Sequence, residues 1–209
     1  MTGFNFLFEA FVLLMGLAMA QVLQGFASVL KLRARRRAGI EHGAQVRIGW
    51  LVPMLGLTVI LDQSTFFLHM YGIREVMPLN VGTMIGVLLA IGWYYLVSSL
   101  TFPDEPELWP DFDAWYWQQK RFILAGVIGV NLISIASSYA LVTAEMQKQL
   151  ATSMTPALAL ASLFAMTALP AMIALYFLRG YRANLVLLGY LIVNPVIYGL
   201  VVIGGEQPF

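Results

Sequence analysis

Six long apolar runs dominate the sequence and constrain its fold more than any other feature. Each run is long enough to cross the hydrocarbon core of a bilayer as a helix, which takes about 20 residues. A helix satisfies its own backbone hydrogen bonds, as a membrane interior requires. We therefore predict an all-α membrane protein with one domain, residues 1–209, formed by a bundle of six transmembrane helices. The six runs are 4–29, 48–71, 80–102, 122–144, 155–178 and 183–204.

Composition agrees with a membrane-embedded chain. Hydrophobic residues make up 60% of the 209 residues and charged residues 11%, whereas soluble domains carry about 25% charged residues. The net charge of +1 gives no reason to expect a nucleic-acid partner. The absence of cysteine excludes disulfides, thiolate metal sites and a cysteine nucleophile.

The first run also has some features of a signal peptide, because Ala18, Met19 and Ala20 have the form of a cleavage site. However, no basic residue precedes this run, and Glu9 interrupts it. The run is also longer than the apolar centre of a signal peptide. We therefore expect it to be a retained transmembrane helix.

The distribution of lysine and arginine predicts the orientation of the bundle. If the segment 30–47 lies on one side, the alternating chain places ten basic residues there and two, Arg74 and Lys148, on the other side. Short loops rich in lysine and arginine stay in the cytoplasm. We therefore predict that segments 30–47, 103–121 and 179–182 are cytoplasmic. Both termini then lie outside the cytoplasm, and a bacterial inner membrane is the expected location.

Residues 102–121, FPDEPELWPDFDAWYWQQKR, form a polar stretch between two runs. Its prolines end the third helix and keep the linker extended. Trp115 and Trp117, with Lys120 beside them, match the aromatic belt that forms at headgroup level. We therefore predict an interfacial, Trp-rich segment before the fourth helix. Trp109 precedes a proline and stands outside that helix, which makes it a candidate contact for a cytoplasmic partner.

Two other interpretations of this stretch stay open. Asp111 and Asp113 form an Asp-x-Asp pair that suits a hard cation, although this spacing is common by chance and no catalytic partner accompanies it. The acidic residues also share a membrane side with the basic segment 30–47, so opposite charges can hold the two loops together. The arginines of that segment match a contact with anionic lipid headgroups, and they are Arg33, Arg35, Arg36 and Arg37.

Three ionisable residues lie within the apolar runs: Glu9, Asp62 and His69. Such groups are costly in lipid and often mark an ion or proton path. The helical rise per residue, multiplied by the distance in residues from the end of each run, places all three in the outer half of the membrane. Together with Asn131 of the fourth run, they form a candidate ion or proton path. Alternatively they have structural roles, with Asp62 protonated, hydrogen-bonded to a neighbour such as Asn131, or in contact with water.

Two runs carry a small residue at every fourth position. Such faces let helix backbones approach closely, either within a bundle or against a partner. Prolines are expected to bend the fifth and sixth helices near Pro170 and Pro195. The small residues that form the two candidate packing faces are Gly82, Gly86 and Ala90 in the third run, and Ala157, Ala161 and Ala165 in the fifth.

The sequence contains no motif for catalysis or nucleotide binding, since the nucleophile elbow, the zinc helix and the Walker loop are all absent. We therefore expect a protein that is not an enzyme and that needs no metal or cofactor. The favoured hypothesis is an accessory or scaffold subunit that packs against another membrane protein or a second copy of itself, in contact with membrane lipids. The alternative is a small proton- or cation-coupled carrier or channel that uses Asp62.

Overall fold

The computed structural model describes residues 3–39, 46–74, 76–78, 80–106, 109, 111–141, 143, 152 and 154–204, with the side chains of residues 3–7 left out. Over this part of the chain the fold is all-helical, and we number the helices α1 to α7. They are α1 (Gly3–Arg37), α2 (Leu51–Ile73), α3 (Val81–Thr101), α4 (Phe112–Leu141), α5 (Pro156–Met166), α6 (Ala168–Phe177) and α7 (Tyr181–Gly204).

Six helical segments are long and apolar enough to cross a membrane, because α5 and α6 together form one segment, Pro156–Phe177. The prediction of six membrane-spanning helices is therefore confirmed at the level of helix length and composition, which fit a multi-pass integral membrane protein. Helix α2 is the centre of the bundle, since it packs against α1, α3, α4 and α7. Three polar residues of α2, Thr58, Asp62 and Gln63, are consequently buried among neighbouring helices.

Helix α1 is longer than the first apolar run, because it continues to Arg37. The basic residues that we expected in a loop therefore lie in its last turns. Arginine, lysine and alanine favour helix, and positive side chains are stabilising at the negative end of the helix dipole. The chain leaves the helix at Gly39, which has a φ angle of +67°, and glycine reaches this left-handed region at no steric cost.

Helix α4 likewise begins early, at Phe112. The side chain of Asp111 caps it by accepting a 2.9 Å hydrogen bond from the N–H of Asp113. Trp115 and Trp117 therefore lie in the first turns of α4 and not in a separate segment before it. Their position at the membrane interface stays a prediction.

The two polar loops at this end of the bundle are joined through their backbones. The N–H of Phe112 donates to the carbonyl of Arg47 at 3.0 Å, and Arg47 and Asp111 form an isolated parallel bridge. The carboxylate of Asp113 packs against Gly49, where a side chain would overlap with it. The expected association of the two loops is thus present, and the contacts that the described residues show are a backbone hydrogen bond and packing.

Lys120, which the sequence places beside the tryptophans of α4, packs inside the bundle. Its side chain is buried, with 3% exposure, and its ammonium donates to the carbonyl of Leu178 and, at 2.7 Å, to Oδ1 of Asn184. Tyr116 donates to the same Asn184 oxygen at 2.7 Å. These contacts fasten α4 to the turn between α6 and α7, because Asn184 in turn donates to the carbonyls of that turn.

Candidate functional site

Asp62 is the middle residue of the 23-residue α2. Its side chain is buried, with 6% exposure. The sequence places Asp62 in the outer half of the membrane, and this depth stays a prediction, because the structure gives its position only within α2, which begins at Leu51 and continues to Ile73. A carboxyl group at mid-helix in a membrane bundle is as far from bulk water as the helix allows.

Two hydrogen bonds hold the Asp62 carboxyl group. Tyr94 of α3 donates its hydroxyl to Oδ2 at 2.6 Å, and Asn131 of α4 donates Nδ2–H to Oδ1 at 2.8 Å. The contact that we expected between Asp62 and Asn131 is therefore present. Because an ionised carboxylate only accepts hydrogen bonds, a donor on each oxygen suits the ionised form.

Asp62 also lines a cavity of about 190 Å³, which we name the Asp62 cavity. The cavity lies between α2, α4, α5, α6 and α7. Five other polar residues contribute to its wall: Thr58, Thr65, Asn131, Asn194 and Tyr198. The remaining wall is apolar and consists of Ala165, Ala168, Met172, Leu191 and Pro195. A carboxyl group buried in the bundle therefore borders a space large enough for a small molecule.

The fifth membrane span is broken beside this cavity, at Thr167 between α5 and α6. Pro170 has no N–H for the carbonyl one turn earlier, which weakens the helix at this point. Asn194 of α7 donates Nδ2–H to the carbonyl of Phe164, in the last turn of α5, at 2.9 Å. The bend expected near Pro170 is thus a break, and Pro195 lies inside α7 on the facing side. Broken helices at membrane depth are tolerated where they line a cavity.

Glu9 and His69 do not join Asp62 and Asn131. Glu9 is exposed on α1, and α1 contributes no residue to the wall of the Asp62 cavity. His69 is half-buried near the end of α2, where its Nε2 lies 3.2 Å from the hydroxyl of Ser138. The path of four residues that the sequence suggested is therefore divided into a central pair and two separate side chains.

Tyr94 is the site residue that the sequence reading missed. The third run contains Tyr94 and Tyr95 next to each other, and successive helical residues point in different directions. In the structure Tyr94 is fully buried, whereas Tyr95 is 41% exposed. A buried carboxyl group needs a hydrogen-bond donor. Any hydroxyl side chain in a neighbouring run was therefore a candidate partner for Asp62.

The two small-residue faces are only partly used for packing within the chain. On α3, Gly82 and Gly86 are exposed, and a side chain at Gly86 would meet nothing within 4 Å. Ala90, on the same face, is buried. The alanine face of the fifth span combines an exposed, a buried and a cavity-lining residue, which are Ala157, Ala161 and Ala165.

The aromatic and basic residues at the Lys120 end of the bundle pair with one another. Trp109 packs edge-on against Trp115, with ring centroids 4.9 Å apart. Trp117 is 36% exposed. Among the arginines assigned to lipid contact, Arg33 places its guanidinium 5.5 Å from the centroid of the Trp50 ring. The other three, Arg35, Arg36 and Arg37, have exposed side chains.

The Asp-x-Asp pair does not gather further metal ligands in the described part of the chain. No group of three or more histidine, aspartate or glutamate side chains that could hold a metal occurs among those residues. Asp111 instead uses its carboxylate as a helix cap. Glu107, Glu145 and Lys148 lie outside the described residues.

Comparison with known proteins gives no match of this chain to a family model, to a curated protein or to a solved structure. Within the described residues, the Asp62 cavity combines a buried ionisable group, a space large enough for a small molecule and a broken helix.

Proposed function

We propose that the protein is a small membrane carrier, without catalytic activity, that binds a cation at Asp62. The observation that supports this most strongly is the position of the Asp62 carboxylate, which lies at mid-helix and lines a cavity. Among the described residues, its hydrogen-bonding partners are the neutral side chains of Tyr94 and Asn131. A buried carboxylate without a positive partner is costly, and a cation in the cavity offsets that cost.

The geometry also supports a division of roles within the site. Tyr94 and Asn131 hold the carboxylate in place by one hydrogen bond each, so that it is preorganised before a cation arrives. The break at Thr167 and the proline in α7 stand on the other side of the cavity. Discontinuous helices of this kind form the binding sites of many transporters, and movement of the fifth span against α7 is how the cavity would open.

The proposal predicts that Asp62→Asn abolishes cation transport while the protein stays folded. Asparagine has the size of aspartate and can still bond to both partners, because its amide oxygen accepts from Asn131 and its amide nitrogen donates to the Tyr94 oxygen. Removal of the charge removes the attraction for the cation. We expect proton or monovalent-cation flux into liposomes, driven by a membrane potential, to fall by about tenfold or more.

The matched control for this variant is Asp104→Asn, which makes the same chemical change at an exposed position outside the cavity. Its flux should equal that of the wild type. Thermal melting of both variants in detergent separates a loss of transport from a loss of folding. Normal flux in a folded Asp62→Asn variant would remove Asp62 as the binding group and with it the carrier proposal.

A second candidate is the accessory or scaffold subunit that the sequence favoured, and the exposed glycine face of α3 supports it. Gly82 and Gly86 are both exposed, and the open space at Gly86 leaves room for the close approach of a helix from another chain. In that case a mild-detergent pull-down should recover a partner or a second copy with the wild type but not with Gly86→Leu. An isolated, monomeric wild type would count against this candidate.

We also propose that the protein lies in a bacterial inner membrane with both termini outside the cytoplasm, and that the arginines at the end of α1 contact anionic lipid headgroups.

Single-cysteine variants test this orientation, because the chain has no cysteine of its own. Met154→Cys, in the exposed segment before α5, should react with a membrane-impermeant maleimide added to intact cells. Ala114→Cys, which is exposed near the start of α4, should react only in opened membranes. The reverse pattern would invert the topology.

A further inference from the structure

The two threonines that line the Asp62 cavity donate their hydroxyl hydrogens to backbone carbonyls of the protein. Thr58 donates to the carbonyl of Met54 at 2.9 Å, and Thr65 donates to the carbonyl of Asp62 at 2.8 Å. A hydroxyl group has a single hydrogen to donate but two lone pairs. What these two side chains can offer a ligand is therefore an acceptor oxygen.

The two asparagines that line the cavity likewise donate their amide hydrogens to groups of the protein. Asn131 donates one amide hydrogen to Oδ1 of Asp62 at 2.8 Å and the other to a backbone carbonyl one turn earlier in α4 at 2.9 Å. Asn194 donates to the carbonyl of Phe164 at 2.9 Å and to the hydroxyl of Tyr190 at 3.3 Å. Carboxylate and carbonyl oxygens only accept, so these partners fix the orientation of each amide. The amide oxygen is the part of each side chain that is left for a ligand.

The wall of the Asp62 cavity is therefore rich in acceptors and poor in donors. Within the described residues, the Tyr198 hydroxyl is the lining group that does not donate its hydrogen to an acceptor of the protein. Among the described residues that line the cavity, Asp62 carries the charged group. A ligand that brings positive charge and several hydrogen-bond donors matches this wall, whereas an anion would meet one negative charge and almost no donors.

The volume of the cavity and its apolar wall indicate which kind of cation fits it. A cavity of 150 Å³ holds a benzene molecule, so the 190 Å³ of the Asp62 cavity correspond to a ligand of about six to nine non-hydrogen atoms. A bare metal ion would fill little of this space. The apolar wall, which includes Ala168, Met172 and Leu191, gives a hydrocarbon group favourable contacts.

We propose that the ligand of the Asp62 cavity is a small primary ammonium compound with a hydrocarbon body. The ammonium group binds the Asp62 carboxylate and the acceptor oxygens around it, and the hydrocarbon body lies against the apolar wall. This inference rests on the proposed function, which is cation binding at Asp62, and adds the chemical class of the cation. The N–H groups of the ligand are as important as its charge, because acceptors surround the carboxylate.

Binding to the full-length protein in lipid nanodiscs, measured by isothermal titration calorimetry, tests the proposal with matched probes. Benzylammonium should bind, while benzyl alcohol lacks the charge and benzoate reverses it, and both should bind about tenfold more weakly or not at all. n-Butylammonium and tetramethylammonium have the same number of carbon and nitrogen atoms, but the second has no N–H. We expect tetramethylammonium to bind about tenfold more weakly than n-butylammonium.

Two variants connect binding to the cavity. Asp62→Asn should weaken benzylammonium binding by about tenfold or more, and Asp104→Asn should leave it unchanged. Ala168→Leu fills part of the apolar wall and should weaken benzylammonium more than the smaller n-butylammonium. This second variant keeps the site testable if Asp62→Asn does not fold, because it leaves the carboxylate in place.

The outcomes separate this inference from the proposed function. Sodium or proton flux that depends on Asp62, without binding of either ammonium probe, would overturn the ammonium assignment and leave the carrier proposal standing. Benzoate or benzyl alcohol binding as tightly as benzylammonium would also overturn the ammonium assignment. If no cation of any kind binds or crosses in an Asp62-dependent manner, both proposals fail.

Discussion

Replacement of Phe102 by alanine is expected to lower the free energy of unfolding by about 3–5 kcal/mol, as truncation of a buried aromatic residue does. The ring is 5% exposed and lies between Gly25 of α1 and Gly56 of α2, where a side chain at either glycine would overlap with it. It also packs edge-on against Phe26, with centroids 5.0 Å apart. Phe102 thus joins the end of α3 to two other helices, and its removal leaves a cavity that these helices cannot easily close.

Chemical unfolding in detergent measures this effect, with Phe177→Ala as the control, because Phe177 is 68% exposed. The control should change stability by less than about 1 kcal/mol. The same contact can be tested from its other side, since Gly25→Ala forces a methyl group against the ring and should cost about 1–3 kcal/mol. Gly92→Ala, which meets nothing within 4 Å, should be neutral or stabilising. Equal losses in Phe102→Ala and Phe177→Ala would contradict this role of Phe102.

Asn184→Leu is expected to produce a loss of similar size, about 3–5 kcal/mol, because it removes the side-chain acceptor that two buried donors share, one of them charged. Lys120 then keeps the carbonyl of Leu178 as its oxygen partner among the described residues. Asn184 is fully buried and Lys120 nearly so. Its Oδ1 accepts hydrogen bonds from Lys120 and Tyr116, each at 2.7 Å, and its amide donates to the carbonyl of Gly180 at 2.8 Å. One substitution therefore removes the acceptor that two buried donors share. It also removes a hydrogen bond that stabilises the turn between α6 and α7.

A double-mutant cycle shows whether this loss comes from the Lys120–Asn184 contact. Lys120→Met removes the buried charge, so Lys120→Met/Asn184→Leu should lose less stability than the sum of the two single variants, by about 0.5–3 kcal/mol. Lys31→Met, at an exposed position of α1, is the control for loss of a lysine and should have little effect. Additive losses would mean that the two side chains act independently.

Part of the candidate site could be predicted from the sequence. Asp62 stands out because a carboxylate in an apolar run is costly wherever the helix is placed. Asn131 could be paired with it because an amide side chain inside an apolar run also needs a hydrogen-bonding partner. The break at Thr167 was anticipated as a bend from Pro170, since the missing N–H of proline is a local property.

The other members of the site could not be predicted in this way. In a soluble helix the apolar face points inward, but a membrane helix is apolar on all sides and periodicity does not say which side faces its neighbours. The choice between Tyr94 and Tyr95 as the partner of Asp62 therefore depends on how α3 is rotated against α2. For the same reason, the separation of Glu9 from Asp62 was visible only once α1 had a place in the bundle.

Six segments long and apolar enough to cross a bilayer follow from the sequence alone, because the length and apolar character of each run can be compared with the thickness of a bilayer. The residues that are costly in lipid and need partners follow from it as well. The partners themselves depend on tertiary packing, and they are Tyr94 and Asn131 for Asp62, Asn184 for Lys120, and two glycines for Phe102. The reason is that these contacts join residues far apart in the chain, and their formation depends on the relative rotation and depth of whole helices.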